Sequence, residues 1–327
     1  MSVKVSVLMP ACNVEKFLPE CMDSIVSQTL QDIEIICVDD GSRDSTGEIL
    51  NRYAASCPKL RVIHKENTGY GHSMNVALDA ACGEYIGILE TDDFVDPDAF
   101  EKLYEAAAGC GADVVKANYY TYVSQPEPKS TYFEVLGDYD LYDTVFCPQD
   151  HQEVMKVRAS IWSGLYRREF LIGNGIRFSE TPGASFQDTG FAFKVWACAK
   201  RAMLLRDAYL HYRTDNSASS VKNMSKVFCI CDEYDAIRAF LDERPEKDAA
   251  FSAIAAYNRY EQYRWNLDRL VPELKWRFLR RMKKDMLAEE RAGHLDRSLF
   301  MDFQWDRLQA IMHRTLRYYI RLRKEQR

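Results

Sequence analysis

No run in this 327-residue chain comes near the about 18 apolar residues that a bilayer-spanning helix needs. No internal repeat and no low-complexity tract appears, so a solenoid or a long disordered linker is not expected. Regular cysteine spacing is missing too. The 10 cysteines fall irregularly, several inside expected strands and helices, as reduced thiols in a cytosol do. Their one close pair, Cys229-Ile230-Cys231, has no histidine at zinc-ligand spacing, so no structural metal is expected there. The run Met1–Met9 is too short and too alternating for a secretory leader and is expected to be a first strand. Motifs for nucleic-acid recognition are absent and most of the chain is acidic, which excludes a nucleic-acid partner.

What is present is an ordinary globular composition, 47% hydrophobic and 28% charged, with an uneven charge distribution. Residues 271–327 carry 15 Lys and Arg against 8 Asp and Glu, a local charge of +7. Residues 1–270 carry 28 against 41, a local charge of −13. A basic end on an acidic body docks on that body, on an anionic membrane surface, or on nothing.

Strand-like and helix-like segments alternate from the start. Strands are expected at Val3–Met9, Ile33–Val38, Leu60–His64, Tyr85–Leu89 and Val114–Ala117. Helices are expected at Glu15–Gln28, Ser45–Ala55, Gly71–Ala81 and Asp98–Ala108. Such alternation predicts right-handed crossovers and an α/β fold, a mostly parallel sheet flanked by helices. Thr121–Pro148 predicts an excursion or hairpin. A turn at Trp162–Tyr166, a short helix at Arg168–Leu171, a helix from Asp188 to Lys200, and strands at Met203–Leu205 and Tyr209–Arg213 follow. Beyond Ser220 strand signals stop, and amphipathic helices jointed at Pro245 and Pro272 are expected. The organisation is a first domain at 1–220 and a helical region at 221–327.

The most informative run is Gly87-Ile88-Leu89-Glu90-Thr91-Asp92-Asp93, where an apolar strand stops and adjacent carboxylates begin. In open α/β sheets ligands bind beyond the carboxyl ends of the strands. Like charges side by side are costly unless a cation or a hydrogen-bonding ligand offsets them, and oxygen donors suit magnesium or manganese. A solvated acidic turn is the other reading. Three more segments fall at the same edge: Pro10-Ala11-Cys12-Asn13, Asp39-Asp40-Gly41-Ser42, and Asn67-Thr68-Gly69 opening the helix with Asn75. Glycines before a helix N-terminus suit an anion, and a carboxylate after the second strand suits a nucleoside.

Together, Pro10–Asn13, Val38–Thr46, Asn67–Gly69 and Glu90–Asp93 resemble, in order and spacing, the family 2 glycosyltransferases of the GT-A fold. The resemblance covers roughly the first two-thirds of the chain. It implies a nucleoside diphosphate sugar donor, with UDP preferred, and a divalent cation, Mn²⁺ or Mg²⁺. Asp40, with Asp39, would contact the base, and the Ala11–Asn13 loop would pack around the nucleoside. Asp93 would be the principal metal ligand, while Asp92 would approach the ribose or the same metal. Asp188 would be the base of an inverting transfer; an ordinary first-turn helix carboxylate is the other reading. Gln187 stands before it where Glu is usual. Arg213 and Ser219 or Ser220 would face the pyrophosphate. His211 would be a third metal ligand or a structural strand histidine, and Trp162 would line the acceptor or anchor the core.

Glu90 replaces the usual Asp of the metal motif, and Met74 and Gly164 stand where Arg and Lys are common. The resemblance further implies a glycan or lipid-linked hydroxyl acceptor, cell-surface polysaccharide synthesis and a cytoplasmic setting at the inner face of a membrane. The C-terminal helices, such as Leu316–Lys324, mix aromatics with cations. They would touch the membrane peripherally, pair two copies, or pack on the body. A nucleotide-sugar-binding subunit without turnover is one rival reading. A nucleotidyltransferase is another, but it expects a glycine-rich basic loop after the first strand, and Pro10–Glu15 is neither.

Overall fold

A computed structural model describes residues 2–135, 137, 140–216 and 226–325. The chain forms two compact units, Met1–Ser219 and Ser220–Arg327. In the first, the strands in chain order are β1 (Val5–Ala11), β2 (Ile33–Asp40), β3 (Leu60–Lys65), β4 (Tyr85–Ile88) and β5 (Phe94–Val95). After them come β6 (Val114–Val123), β7 (Lys129–Phe133), β8 (Val145–Phe146), β9 (Gly164–Arg167) and β10 (Ala202–Arg213). Its helices are α1 (Leu18–Val26), α2 (Thr46–Ser56), α3 (Tyr70–Ala80), α4 (Ala99–Cys110), α5 (Arg168–Gly173) and α6 (Gln187–Cys198).

The sheet runs β3-β2-β1-β4-β9-β6-β10-β5. Pairing is parallel through β3-β2-β1-β4 and again between β6 and β10. The expected parallel character therefore holds in two blocks, and β9 joins them antiparallel to both neighbours. Strand β1 reads as a near-continuous apolar run because helices cover both its faces. Val5, Val7, Met9, Ile35 and Cys37 form one core with Leu18, Met22, Leu50 and Leu103 from the covering helices.

Two expectations change, and one pair of alternatives is decided. The turn expected at Trp162–Tyr166 is strand β9, recruited by the edges of β4 and β6 despite lacking alternation. The two short strands at 203–205 and 209–213 are one strand, β10, with irregularities between Leu205 and His211. The excursion after residue 121 is largely a β6–β7 hairpin.

The second unit consists of α7 (Cys229–Asp242), α8 (Pro245–Arg269), α9 (Pro272–Ala292), α10 (Asp302–His313) and α11 (Thr315–Glu325). Pro245 and Pro272 open α8 and α9, where a missing N–H costs nothing. Phe251, Ile254, Tyr260, Phe278, Met282 and Ile311 fill its core. Arg259 is buried there with compensation, donating to Glu289 Oε1 at 2.9 Å and Asp235 Oδ1 at 2.5 Å. Among the described residues no helix is long and apolar enough to cross a membrane.

Candidate active site

Strands β1, β2 and β3 are parallel and end at one sheet edge, where side chains stitch the following loops together. Asn13, at φ 51, tolerates the left-handed region as few non-glycine residues do. Its N–H donates to Ser42 Oγ at 3.0 Å and its Oδ1 accepts Arg43 N–H at 2.8 Å. Ala11 is buried and Cys12 exposed. Asn67 Nδ2 donates to Cys12 Sγ at 3.4 Å and to the Asp40 carbonyl at 2.9 Å. The Pro10 carbonyl accepts Thr91 Oγ1 at 2.8 Å, tying this edge to the acidic loop. A cleft of about 650 Å³ opens between Asn13, Gly41, Arg43, His64, Lys65, Glu66 and Asn67, a volume suited to a small polar ligand.

Asp39 borders this cleft, with Oδ2 at 2.9 Å from His64 Nδ1 and Oδ1 accepting Ser42 N–H at 3.0 Å. Asp40 behaves differently. Its Oδ1 accepts the Thr68 N–H at 2.9 Å and the Lys65 ammonium, and its Oδ2 accepts the Gly69 N–H at 3.0 Å. Burial pushes this carboxyl up, but Lys65 and the two amides outweigh burial and hold it below the usual carboxylate range. Both oxygens are thus committed to residues 65–69. Asp40 thereby holds the loop at residues 65–69.

At the end of β4, Asp93 is 1% exposed. Its Oδ1 accepts the Arg213 N–H at 2.8 Å, while Oδ2 is buried without a hydrogen-bond partner among the described residues. Burial, then the charge of Asp92, pushes the Asp93 carboxyl well above its ordinary range. Asp92 Oδ2 accepts Asn216 Nδ2 at 2.8 Å. Glu90, one methylene longer than the usual Asp, reaches the Tyr70 hydroxyl at 2.7 Å. Burial, with the charges of Asp92 and Asp188, pushes Glu90 up to about 8, against that hydrogen bond.

A partnerless buried carboxylate oxygen beside a second carboxylate fits a hard divalent cation. Among the described residues no three metal-ligating side chains converge. Asp93 and Asp92 would therefore hold such an ion with donor phosphate oxygens and water, as is common for magnesium.

His211 is corrected to its structural reading. Its Nε2 lies 3.1 Å from Asp96 Oδ1 and its Nδ1 2.6 Å from Ser130 Oγ, with the ring sandwiched between Phe94 and Tyr120. No ring nitrogen remains for a metal. Arg213 is also committed. Its Nε donates to the Asp92 carbonyl at 2.8 Å, it pairs with Glu20, and its guanidinium lies between the Phe17 and Tyr122 rings. It braces the acidic loop where a pyrophosphate contact was expected. Ser219 and Ser220 lie outside the described residues.

The approach to Asp188 is built by residues expected to face substrates. Asn75 Nδ2 donates to the Phe178 carbonyl and Glu180 Oε1 at 3.0 and 2.8 Å, and its Oδ1 accepts the Phe178 N–H. Gln187, fully enclosed, donates to Thr181 Oγ1 at 2.8 Å and the Gly183 carbonyl at 3.0 Å while accepting the Ser185 N–H. Neither amide is free for a ligand. Phe186, just before Gln187, has φ 64, a strained backbone that a bulky residue adopts only when its surroundings impose it.

Asp188 then opens α6, with Oδ1 accepting the Thr189 N–H at 2.8 Å. Burial pushes its carboxyl up, opposed by Thr189 and by Arg158. Arg158 donates to the Tyr119 hydroxyl at 3.3 Å and lies 5.2 Å from the Tyr212 ring centroid. Trp162 stacks on the other aromatic partner of this group, 5.0 Å from Tyr212 at an interplanar angle of 6°. Half-buried, it packs on the core, one of its two expected readings.

These parts lie close to one another. Glu90 is within electrostatic reach of both Asp92 and Asp188, and Tyr212 is within reach of Asp92, Asp93 and Arg158. Tyr70 and Arg158 lie in this group although no motif spacing marks them, and Tyr212 joins them. Gly164 also has a physical reason: a Cβ there would lie 2.1 Å from the Val115 carbonyl oxygen. The nearby cation is instead Lys116, whose ammonium donates to the Ser160 carbonyl and which burial pushes down to about 7.

The model of glycosyl transferase family 2 matches residues 6–156. The chain is 34% identical over 232 residues to the glycosyltransferase GlyG of Streptococcus pneumoniae serotype 4, spanning 66% of this chain and 73% of that protein. Its fold resembles that of S. aureus TarS 1–349 in complex with UDP-GlcNAc, with a TM-score of 0.74 at 22% identity, covering 97% of this chain and 89% of the other. A mannosyltransferase, PcManGT from Pyrobaculum calidifontis in complex with GDP-Man and Mn²⁺, matches with a TM-score of 0.51 at 18% identity, covering 94% and 84%.

Proposed function

The chain belongs to glycosyl transferase family 2, and from that premise we propose a metal-dependent, inverting transfer of a sugar from a nucleoside diphosphate sugar, UDP-linked by preference, to a hydroxyl of a glycan or lipid-linked acceptor. The chemistry is assigned to residues 1–220, in cell-surface polysaccharide synthesis at the cytosolic side of a membrane. The binding of UDP-GlcNAc by TarS supports the donor class.

One observation carries the reading: Glu90 lies within electrostatic reach of both Asp92 and Asp188, which supports one site for the acidic loop and the base. Asp188 takes the proton of the acceptor hydroxyl as its oxygen attacks the anomeric carbon and the bond to the diphosphate breaks. A carboxyl raised by burial is a stronger base than an exposed one, which suits that task. Asp93 and Asp92 hold the cation, which when bound stabilises the departing diphosphate as a Lewis acid. Asn13 and His64 line the cleft assigned to the nucleoside, and Asp39 holds the His64 ring at 2.9 Å. Trp162 and Tyr212 offer a flat apolar face to the acceptor sugar.

Incubation with a panel of nucleotide sugars and Mn²⁺, following nucleoside diphosphate release, tests the reading. Asp188→Asn is expected to keep donor binding and to lose transfer by roughly 10²–10⁴-fold. Transfer at the parental rate would mean that another residue is the base.

A further inference from the structure

We propose that Arg158 makes the acceptor side anion-selective: the attacking hydroxyl belongs to a sugar or polyol that also carries an oxyanion, a carboxylate or a phosphodiester, which the guanidinium binds. The inference deepens the transfer reading above and rests on it for where the acceptor lies.

The guanidinium is held in place without being neutralised. Arg158 is exposed, yet it donates to the hydroxyl of the fully buried Tyr119 at 3.3 Å and lies 5.2 Å from the Tyr212 ring centroid. Its hydrogen-bonding neighbours are these phenols, and no carboxylate forms an ion pair with it among the described residues. A guanidinium has more N–H donors than these hydroxyls engage, so part of the fork faces outward.

The loop that carries it is fixed from below. Ser160 has φ 26, a backbone conformation imposed by its surroundings. Its carbonyl accepts the Ser163 N–H at 3.0 Å and the ammonium of buried Lys116. Trp162, on the same loop, stacks on Tyr212. One short segment thus presents a cation and a flat ring together.

The charges around it say what that cation is for. Glu90, Asp92, Asp93 and Asp188 make the site acidic, and Arg158 is the cation that acts on Asp188. An oxyanion on the acceptor is repelled by those carboxylates unless a cation meets it. A neutral hydroxyl gains little by exchanging water for a guanidinium. Charge-assisted bonds to an oxyanion are about twice as strong as neutral ones, and a planar fork matches the paired oxygens of a carboxylate or phosphodiester.

The test is a ligand-detected NMR titration of the full chain in the presence of UDP and Mn²⁺. The probes are two matched pairs: methyl glucoside with methyl glucuronide, and diglycerol with glycerophosphoglycerol. One anionic probe is expected to bind about tenfold or more tighter than its neutral counterpart. That preference should vanish in Arg158→Gln and survive in part in Arg158→Lys, which keeps the charge but not the fork. Preference within the first pair assigns a carboxylate; preference within the second assigns a phosphodiester. Equal binding within both pairs, no binding of either anionic probe, or a preference retained by Arg158→Gln overturns the proposal. An arginine that only tunes Asp188 would move the pH–rate profile and leave all four probes alike. Nucleoside diphosphate release from nucleotide sugars reads the transfer assignment separately. Release without an anionic preference ends the subsite alone, and a preference without release ends the transfer reading.

Discussion

The backbone N–H of Tyr70 donates to the carbonyl of Gly183 at 3.1 Å, joining the loop after β3 to the loop before Asp188. Each loop is gripped from its own side. Asp40 holds the amides of Thr68 and Gly69, and Gln187 holds Thr181 and Gly183. Asn75 adds a third clamp at residues 178–180. The placement of the base is thus coupled to the loops of the donor cleft through buried hydrogen bonds, which position more accurately than exposed ones.

This joint predicts that Gly71→Ala is severe. A Cβ at Gly71 would lie 1.9 Å from the Ser179 backbone oxygen, so one loop must move. The expected cost is about 2 kcal/mol or more in thermal unfolding, with kcat/KM falling as well. Gly109→Ala, where nothing lies within 4 Å, is the control and should be neutral or slightly stabilising. Equal behaviour of the two variants would refute the joint.

In the proposed transfer, Arg158 would shift the pH range in which Asp188 acts as base. Asp188 must be ionised to act, so the rate falls as pH drops through its raised pKa. Arg158 opposes that rise; removing its charge lifts the carboxyl further. Arg158→Gln is therefore expected to move the acid limb of the pH–rate profile to higher pH, and Arg158→Lys to leave it near the parental position. A limb unmoved in the glutamine variant would separate Arg158 from the base.

The strands at 5–11, 33–40 and 60–65 were legible because apolar runs between turn residues have few other solutions. Strand β9 was not, since four residues beginning with glycine carry no alternation and are recruited by neighbours distant in sequence. The motif letters were legible as well, but not the directions of their side chains. Asp40, Asn75 and Gln187 occupy the expected positions, yet the partners of Asp40 and Asn75 at 65–69 and 178–180 are fixed by tertiary approach, and those of Gln187 at 181–185 by the conformation of the loop before it. Tyr70 and Arg158 leave no trace in spacing, because each acts alone. His211 looked like a ligand only because its partners, Asp96 and Ser130, lie about 80 to 115 residues away along the chain.

Glu90 makes stability depend on pH. Its folded pKa, about 8, lies above the ordinary 4.5 of an exposed glutamate. Below the lower value both folded and unfolded chains are protonated at this site. Between the two, the unfolded chain releases a proton that the folded chain keeps, so stability falls as pH rises. In chelator-treated protein, Glu90→Gln should flatten this decline, its Tm advantage over the parent growing from pH 5 to about 8. Parallel curves for the two proteins would show that Glu90 ionises normally.

Asp93 provides a test of the cation that does not require turnover. Among the described residues its Oδ2 is buried without a partner, so an ion bound there stabilises the folded state alone and raises Tm with concentration. At 100 times the dissociation constant that linkage is worth about 2.7 kcal/mol. Asp93→Asn keeps the shape and an oxygen for the Arg213 N–H but removes the charge and one hard donor. The Mn²⁺-dependent rise in Tm should therefore vanish in the variant, while its chelated Tm stays at or above the parental one because a costly buried carboxylate is gone. An undiminished Mn²⁺ shift in Asp93→Asn would place the ion elsewhere. A chelated Tm far below the parent would mean that the carboxylate is structural, its orphan oxygen satisfied in solution by something other than a cation.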